Sequence, residues 1–180
     1  MAWKTISSKT IFTHPRITLI EDNVELPDGQ QVPYLVFEKR GDSACIICTQ
    51  GDKVLLQQEY SYPPNEVLYQ FPGGKVEANE TAAEGAIREL AEEAGLHPKQ
   101  IVELGWFYTD NRRTSARMYV YLASDCIGVK KEGGDKEENI TDHWTPILEV
   151  DTMIRNGQIV NYSLLAAWSI FTSRSSTTAA

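Results

Sequence analysis

Residues 74–96 read Gly74-Lys75-Val76-Glu77-Ala78-Asn79-Glu80-Thr81-Ala82-Ala83-Glu84-Gly85-Ala86-Ile87-Arg88-Glu89-Leu90-Ala91-Glu92-Glu93-Ala94-Gly95-Leu96. A helix is marked here at both ends. Thr81, with Glu84 three residues on, makes a capping box in which hydroxyl and carboxylate satisfy backbone donors reciprocally. Gly95 followed by Pro98 stops it, because glycine accepts the left-handed cap conformation and proline cannot continue a helix. The predicted span is about Ala82 to Ala94, with Ala83, Ala86, Ile87, Leu90 and Ala94 recurring at helical spacing as the buried stripe.

Glu89, Glu92 and Glu93 lie three and four residues apart, so this spacing crowds three carboxylates onto one exposed face. Like-charge neighbours cost an isolated helix a few tenths of a kcal/mol per pair, a cost that Arg88 offsets by pairing with Glu84 and Glu92 at i±4. Taken alone, this is as much a solvated acidic face as a site. The preceding Gly73-Gly74 permits close backbone approach and can direct carbonyl oxygens into the same space. Hard oxygen donors suit Mg2+ or Mn2+, which in turn bind diphosphate oxygens. Metal-assisted diphosphate cleavage is chemically reasonable on these grounds, though not unique.

Outward from the helix, the sequence predicts strands. Upstream are Ile17–Ile20, a turn at Leu26-Pro27-Asp28-Gly29, Val32–Glu38, and a hairpin of Ala44–Thr49 and Val54–Tyr60 joined at Gln50-Gly51-Asp52-Lys53. Pro63-Pro64-Asn65 forces a loop, and Phe71-Pro72-Gly73-Gly74 leads into the helix. Downstream are Ile101–Gly105 and Arg117–Ala123, a Gly- and charge-rich loop from Lys130 to Asn139, and an amphipathic helix at about Ser163–Ser173 with a Ser/Thr/Ala tail expected to fray.

A chain of 180 residues, 42% hydrophobic and 23% charged, fits one globular domain with a sizeable core, or one domain with a modest appendage. No apolar run approaches the roughly 20 residues that span a bilayer, and no signal-like stretch follows Met1, so the expected location is cytoplasmic and no membrane partner is expected. A net charge of −8 argues against a nucleic-acid partner, because binding a polyanion relies on phosphate neutralisation. Cys45 and Cys48 form a C-x-x-C with only Cys126 elsewhere, short of the four ligands of a structural zinc. They read as ordinary buried thiols in a strand.

The stretch from Gly74 to Leu96 matches G-x5-E-x7-R-E-U-x-E-E-x-G-U at every specified position, and so resembles the Nudix hydrolases. That resemblance covers most of residues 41–173 and implies an α/β/α sandwich with an N-terminal antiparallel β extension. It implies that Glu89, Glu92 and Glu93 are metal ligands, Glu89 and Glu93 foremost, with the Gly73 carbonyl as a fourth and Mg2+ (or Mn2+) as the ion. Gly74, Glu80, Arg88 and Gly95 would be structural, Arg88 using its planar fork to hold carboxylates in place. The implied organisation is an N-terminal dimerisation and substrate-binding segment (1–40), a catalytic domain (41–173) and a flexible tail (174–180).

The strand-rich preface, together with Val54-Leu55-Leu56-Gln57-Gln58-Glu59-Tyr60-Ser61-Tyr62-Pro63 and Tyr69-Gln70-Phe71-Pro72-Gly73-Gly74, resembles the ADP-ribose and nucleoside diphosphate sugar pyrophosphatase branch. In that branch the preface builds a dimer and helps to sandwich the nucleobase. The chain departs from it at Ser61, where Arg is frequent, and at Asp110-Asn111-Arg112, where ADP-ribose enzymes often carry Ser-Pro-Gly. Arg112, Arg113 and Arg117 are candidate phosphate or sugar contacts, since guanidinium suits phosphate geometry, and Phe37 is a candidate for stacking on the base. For any one of Trp3, Phe12, Tyr34 and Phe37 a core or dimer role is favoured. The expected reaction is metal-dependent hydrolysis of nucleoside diphosphate sugars, ADP-ribose and GDP-mannose leading, by a homodimer. The alternatives are a housecleaning hydrolase of nucleoside triphosphates or dinucleotides and a non-catalytic nucleotide-sugar sensor; sensors often lose box carboxylates, and none is lost here. A general base must reach water near the metal, and glutamates bound to metal serve poorly. By resemblance it lies on the loop Lys131–Ile140, with Glu138 first and Glu137 second; the alternative for both is a solvated charge run.

Overall fold

The computed structural model describes residues 2–131 and 139–175. Its N-terminal part is an antiparallel sheet of β1 (Lys4–His14), β2 (Ile17–Glu25) and β3 (Gln31–Phe37), in that order. The expected turn holds between β2 and β3, where Leu26 N–H donates to the Gln30 carbonyl at 2.8 Å. β1 escapes the sequence reading because Lys4-Thr5-Ile6-Ser7-Ser8-Lys9-Thr10 lacks a sustained apolar alternation, and all eleven of its residues are exposed. Pairing with β2 alone makes it a strand, with register shifts at Thr5/Ser7 and Thr10/Phe12. Arg40 closes this sheet at one end, donating to the His14 carbonyl and to Thr18 Oγ1 at 2.9 Å. Met1–Arg40 and Tyr108–Ala116 together form one compact unit.

The second unit comprises Gly41–Phe107 and Arg117–Ala180. Its strands are β4 (Ser43–Gln50), β5 (Lys53–Ser61), β6 (Glu66–Gln70), β7 (Gly73–Lys75), β8 (Leu96–His97), β9 (Gln100–Tyr108), β10 (Arg117–Ser124), β11 (Ile127–Gly128) and β12 (Thr141–Pro146); its helices are α1 (Ala82–Ala94), α2 (Ile147–Arg155) and α3 (Tyr162–Ser175). The main sheet runs β12-β5-β4-β10-β9, with β6 on β5 and β7 on β4. β4 and β10 are parallel, joining Ser43–Cys48 to Met118–Ala123.

Strand alternation sorts the core into two layers. Ala44, Ile46 and Cys48 face α1 through Ala86 and Leu90, whereas Cys45 and Ile47 face α2 and α3 through Val150, Leu164, Ala167 and Trp168. Helices therefore cover both faces of the sheet, the expected three-layer α/β/α architecture, and Ala44–Cys48 form an unbroken buried run as a doubly covered strand should. Trp168 Nε1 donates to Asp151 at 2.7 Å and ties α3 to α2. Fully burying a side chain such as Leu90 contributes about 1.5–3 kcal/mol. α2 and β12 are absent from the sequence reading; α2 starts at Pro146 without a side-chain cap, so its boundary lacks the signal that marks α1. Among the described residues no helix is long and apolar enough to cross a membrane.

Candidate active site

α1 begins and ends where its caps predict. The Thr81 hydroxyl accepts from Glu84 N–H at 3.2 Å while the Glu84 carboxylate accepts from Thr81 N–H at 2.7 Å, and Gly95 closes the helix in the left-handed conformation at φ 64°. This box corrects one expectation, because Glu84 is committed to the cap and does not pair with Arg88.

Arg88 is instead the hub of the helix face. Its Nε and Nη2 grip the two oxygens of Glu80 at 3.1 and 2.9 Å, Nη1 donates to Glu89 at 3.0 Å and Glu92 at 2.9 Å, and Nη2 also donates to the Lys75 carbonyl at 3.0 Å. A guanidinium has five N–H donors, and these contacts use every one. Arginine's fork is thus required here, since an ammonium offers three donors and no planar geometry. The hydrogen bonds from Arg88 hold the Glu80 carboxyl below the usual carboxylate range, and Glu80 in return pushes the guanidinium further up.

The carboxylates are not uniformly exposed, a second correction. Glu89 and Glu92 are half-buried, and Glu93 is only 6% exposed because α1 packs on β7 and Gly73 N–H donates to Glu93 Oε2 at 3.1 Å. The sequence expects a turn at Gly73-Gly74, but both residues lie in strand β7, and their lack of side chains makes this approach possible. A Cβ on Gly73, at φ 155°, would lie 2.3 Å from the Ala44 carbonyl oxygen, and one on Gly74 would lie 2.4 Å from Glu89 Oε1. Backbone closes on Gly73, so only hydrogen fits there, while a side chain at Gly74 would displace the Glu89 carboxylate.

Among the described residues no three His, Cys, Asp or Glu side chains already converge as a cation cage. The donor set nonetheless fits a hard divalent ion: Glu89, Glu92 and Glu93 offer oxygen alone, from one face of one helix, beside the two glycines of β7.

The other candidates fall into two places. Phe37, Arg112 and Arg113 come together with Tyr34 and Lys39 along a groove of about 350 Å³ in the N-terminal unit. Phe37 N–H donates to the Arg113 carbonyl at 2.6 Å and the Tyr34 hydroxyl donates to that of Arg112 at 3.0 Å, so β3 positions this turn. Arg117 is not part of that groove; it opens β10, with its guanidinium 4.2 Å from the centre of the Trp106 ring. Trp3 and Phe12 are about half exposed, so neither is a core residue, and Trp3 meets Tyr34 edge to face. Glu137 and Glu138 lie outside the described residues. The sequence reading missed Lys39 and Tyr34 as partners of the arginines, although the aromatic-basic composition of Tyr34 to Arg40 carries the signal.

Residues 39–167 match the family model of the NUDIX domain, and residues 3–37 match that of the nucleoside diphosphate sugar hydrolase N-terminal domain. The chain belongs to the Nudix family and is a hydrolase of the class that cleaves phosphorus-containing anhydrides. It is similar to the ADP-ribose pyrophosphatase of Mycobacterium tuberculosis (strain ATCC 25618 / H37Rv), with 30% identity over 91% of this chain and 80% of the relative. It is also similar to the ADP-ribose pyrophosphatase of Bacillus subtilis (strain 168), with 29% identity over 82% of this chain and 77% of the relative. Its fold matches a crystal structure of an ADP compounds hydrolase with a TM-score of 0.91, covering 99% of this chain and 96% of that one at 17% identity.

Proposed function

We propose that this hydrolase cleaves the diphosphate bond of nucleoside diphosphate sugars, with ADP-ribose and GDP-mannose as leading substrates, giving a nucleoside monophosphate and a sugar phosphate. The observation that carries the reading is the face of α1, where one guanidinium with every donor engaged orders Glu89 and Glu92 beside the buried Glu93 and the glycines of β7. The ADP-ribose pyrophosphatase activity for which the two bacterial relatives are named and the N-terminal family match support the substrate class.

Nudix hydrolases generally need divalent metal ions. Glu89, Glu92 and Glu93, with the Gly73 carbonyl, would hold Mg2+ or Mn2+, and the bound ion would neutralise diphosphate charge and acidify water. Arg88 and Glu80 act as positioning residues for these ligands. In the N-terminal unit, Phe37 offers a stacking face for the base, and Arg112 and Arg113 offer guanidinium groups for phosphate. Arg117 is a further candidate contact. Glu138, or failing it Glu137, takes the proton from the attacking water as the phosphorus–oxygen bond breaks. Glu138→Gln should then lower kcat strongly and leave metal affinity nearly unchanged; full kcat in both Glu138→Gln and Glu137→Gln would remove this loop from the chemistry.

The protein works as a cytoplasmic homodimer through residues 1–40. The support is β1, an edge strand of eleven exposed residues that carries Ile6, Ile11 and Phe12 on its surface. Light scattering at micromolar concentration should give twice the chain mass, and a monomer would refute the dimer. The function itself is tested by a panel of nucleotide sugars, nucleoside triphosphates and dinucleotides with Mg2+, products read by mass spectrometry. Release of a nucleoside monophosphate with a sugar phosphate is expected. Turnover confined to triphosphates or dinucleotides, or no turnover at all, would overturn the reading.

A further inference from the structure

A C-x-x-C motif suggests that its own two cysteines are partners, but on a strand an odd spacing separates them. Cys45 faces the α2/α3 layer and Cys48 the α1 layer. The partner of Cys48 is distant in sequence. The Cys48 and Cys126 sulfurs lie 3.1 Å apart, brought together by the parallel pairing of β4 with β10, which sets Ala123 beside Cys48. Thr49 Oγ1 donates to the Ala123 carbonyl at 3.2 Å and holds the end of β10, after which Asp125, at φ 52°, turns the chain into β11, which pairs with β8.

The two thiols differ in access. Cys48 is wholly buried, whereas Cys126 is half-buried and lines a cavity of about 690 Å³ with Ser124, Asp125, Lys99 and Trp144. We propose that Cys48 and Cys126 form a redox modification site, in which a hydroperoxide entering this cavity oxidises Cys126 and Cys48 closes a disulfide onto it.

The chemistry balances with the hydroperoxide as the two-electron oxidant. The Cys126 thiolate attacks the peroxide; a sulfur–oxygen bond forms, the oxygen–oxygen bond breaks, and an alcohol (water, from hydrogen peroxide) leaves, so sulfur is oxidised to a sulfenic acid. The Cys48 sulfur then attacks Cys126; the sulfur–sulfur bond forms, the sulfur–oxygen bond breaks, and hydroxide departs with the thiol proton as water. A disulfide is about 2.05 Å long, so the sulfurs need close only about 1 Å. Hydrogen bonding from Cys48 holds the Cys126 thiol low, which suits it to the first attack, while the same bond, with burial, pushes the Cys48 thiol up. Burial pushes Cys45 up to about 12 and makes it the unreactive internal control.

The bond would fasten β4 to the start of β11, the strand paired with β8 just beyond the Gly95 cap of α1. The test is to treat the folded chain with one equivalent of hydrogen peroxide, remove the peroxide, alkylate the remaining free thiols in denaturant, and map peptides by mass spectrometry. Expected are a protein lighter by two hydrogens, a Cys48–Cys126 linked peptide reversed by dithiothreitol, alkylatable Cys45, the same product in Cys45→Ser, and none in Cys126→Ser. The oxidised wild-type chain should also melt at a higher temperature than the reduced one, because a cross-link restricts the unfolded chain. Recovery of both thiols reduced, overoxidation of Cys126 without a cross-link, or a Cys45–Cys48 link would overturn the proposal.

Discussion

Strands β4 and β1 are both regular, yet they owe their form to different forces. β4 is covered on both faces, so its own side chains fix it in place: Ala44 to Cys48 are each 5% exposed or less. β1 has no covered residue and depends on main-chain pairing with β2. The same contrast separates the two groups of candidate site residues. On α1 they are half-buried or buried and bound to one another, while Arg112 and Arg113 are exposed on a turn. Buried groups are set by packing and by satisfaction of every donor, so changes there should be costly. Exposed ones should act mainly through what they bind.

The sharpest break in that comparison is a pair of truncations. Ile46→Ala should cost about 2–5 kcal/mol through lost burial and a cavity, whereas Ile6→Ala should stay within about 0.5 kcal/mol for an isolated chain. Chemical denaturation of both variants measures this; an Ile6→Ala loss equal to that of Ile46→Ala would mean that the β1 face is covered. At the next level, Glu93→Gln should reduce kcat about a hundredfold or more with the fold retained, in the range seen when a principal electrostatic element is removed. Unchanged turnover at limiting Mg2+ would count against Glu93 as a ligand.

The exposed arginines should behave differently. Arg112→Ala is expected to raise KM about tenfold with kcat nearly kept, as for one charge-assisted hydrogen bond to substrate; an unchanged KM in both Arg112→Ala and Arg113→Ala would dissociate the groove from binding. The smallest effect concerns Glu80. Its folded pKa is depressed by Arg88, so its contribution is present above the unfolded carboxylate pKa of about 4.3 and lost as pH falls through the lower folded value. The stability difference between wild type and Glu80→Gln should therefore shrink below about pH 4, measured as melting temperature against pH, and a difference that grows on acidification would reverse the sign.

Much of this molecule is written locally. The Thr81/Glu84 box, the Gly95 stop and the 3.6-residue period of Ala86 and Leu90 yield α1 to the residue, because each signal is satisfied within a few positions of itself. The β4–β5 hairpin about Gly51-Asp52 is legible for the same reason, and the spacing of Glu89, Glu92 and Glu93 already sets them side by side on α1, whereas their proposed role as ligands came from the family resemblance. What only the tertiary structure decided depends on neighbours far along the chain. β1 exists through pairing with β2, and Glu93 is buried against strand β7, whose Gly73 lies twenty residues upstream. Arg88 takes Glu80 and the Lys75 carbonyl in place of Glu84 because the loop before α1 folds back onto the helix. Cys48 finds Cys126 rather than Cys45, since the two-residue alternation of a strand sends Cys45 to the opposite face and the parallel β4–β10 pairing closes a gap of 78 residues.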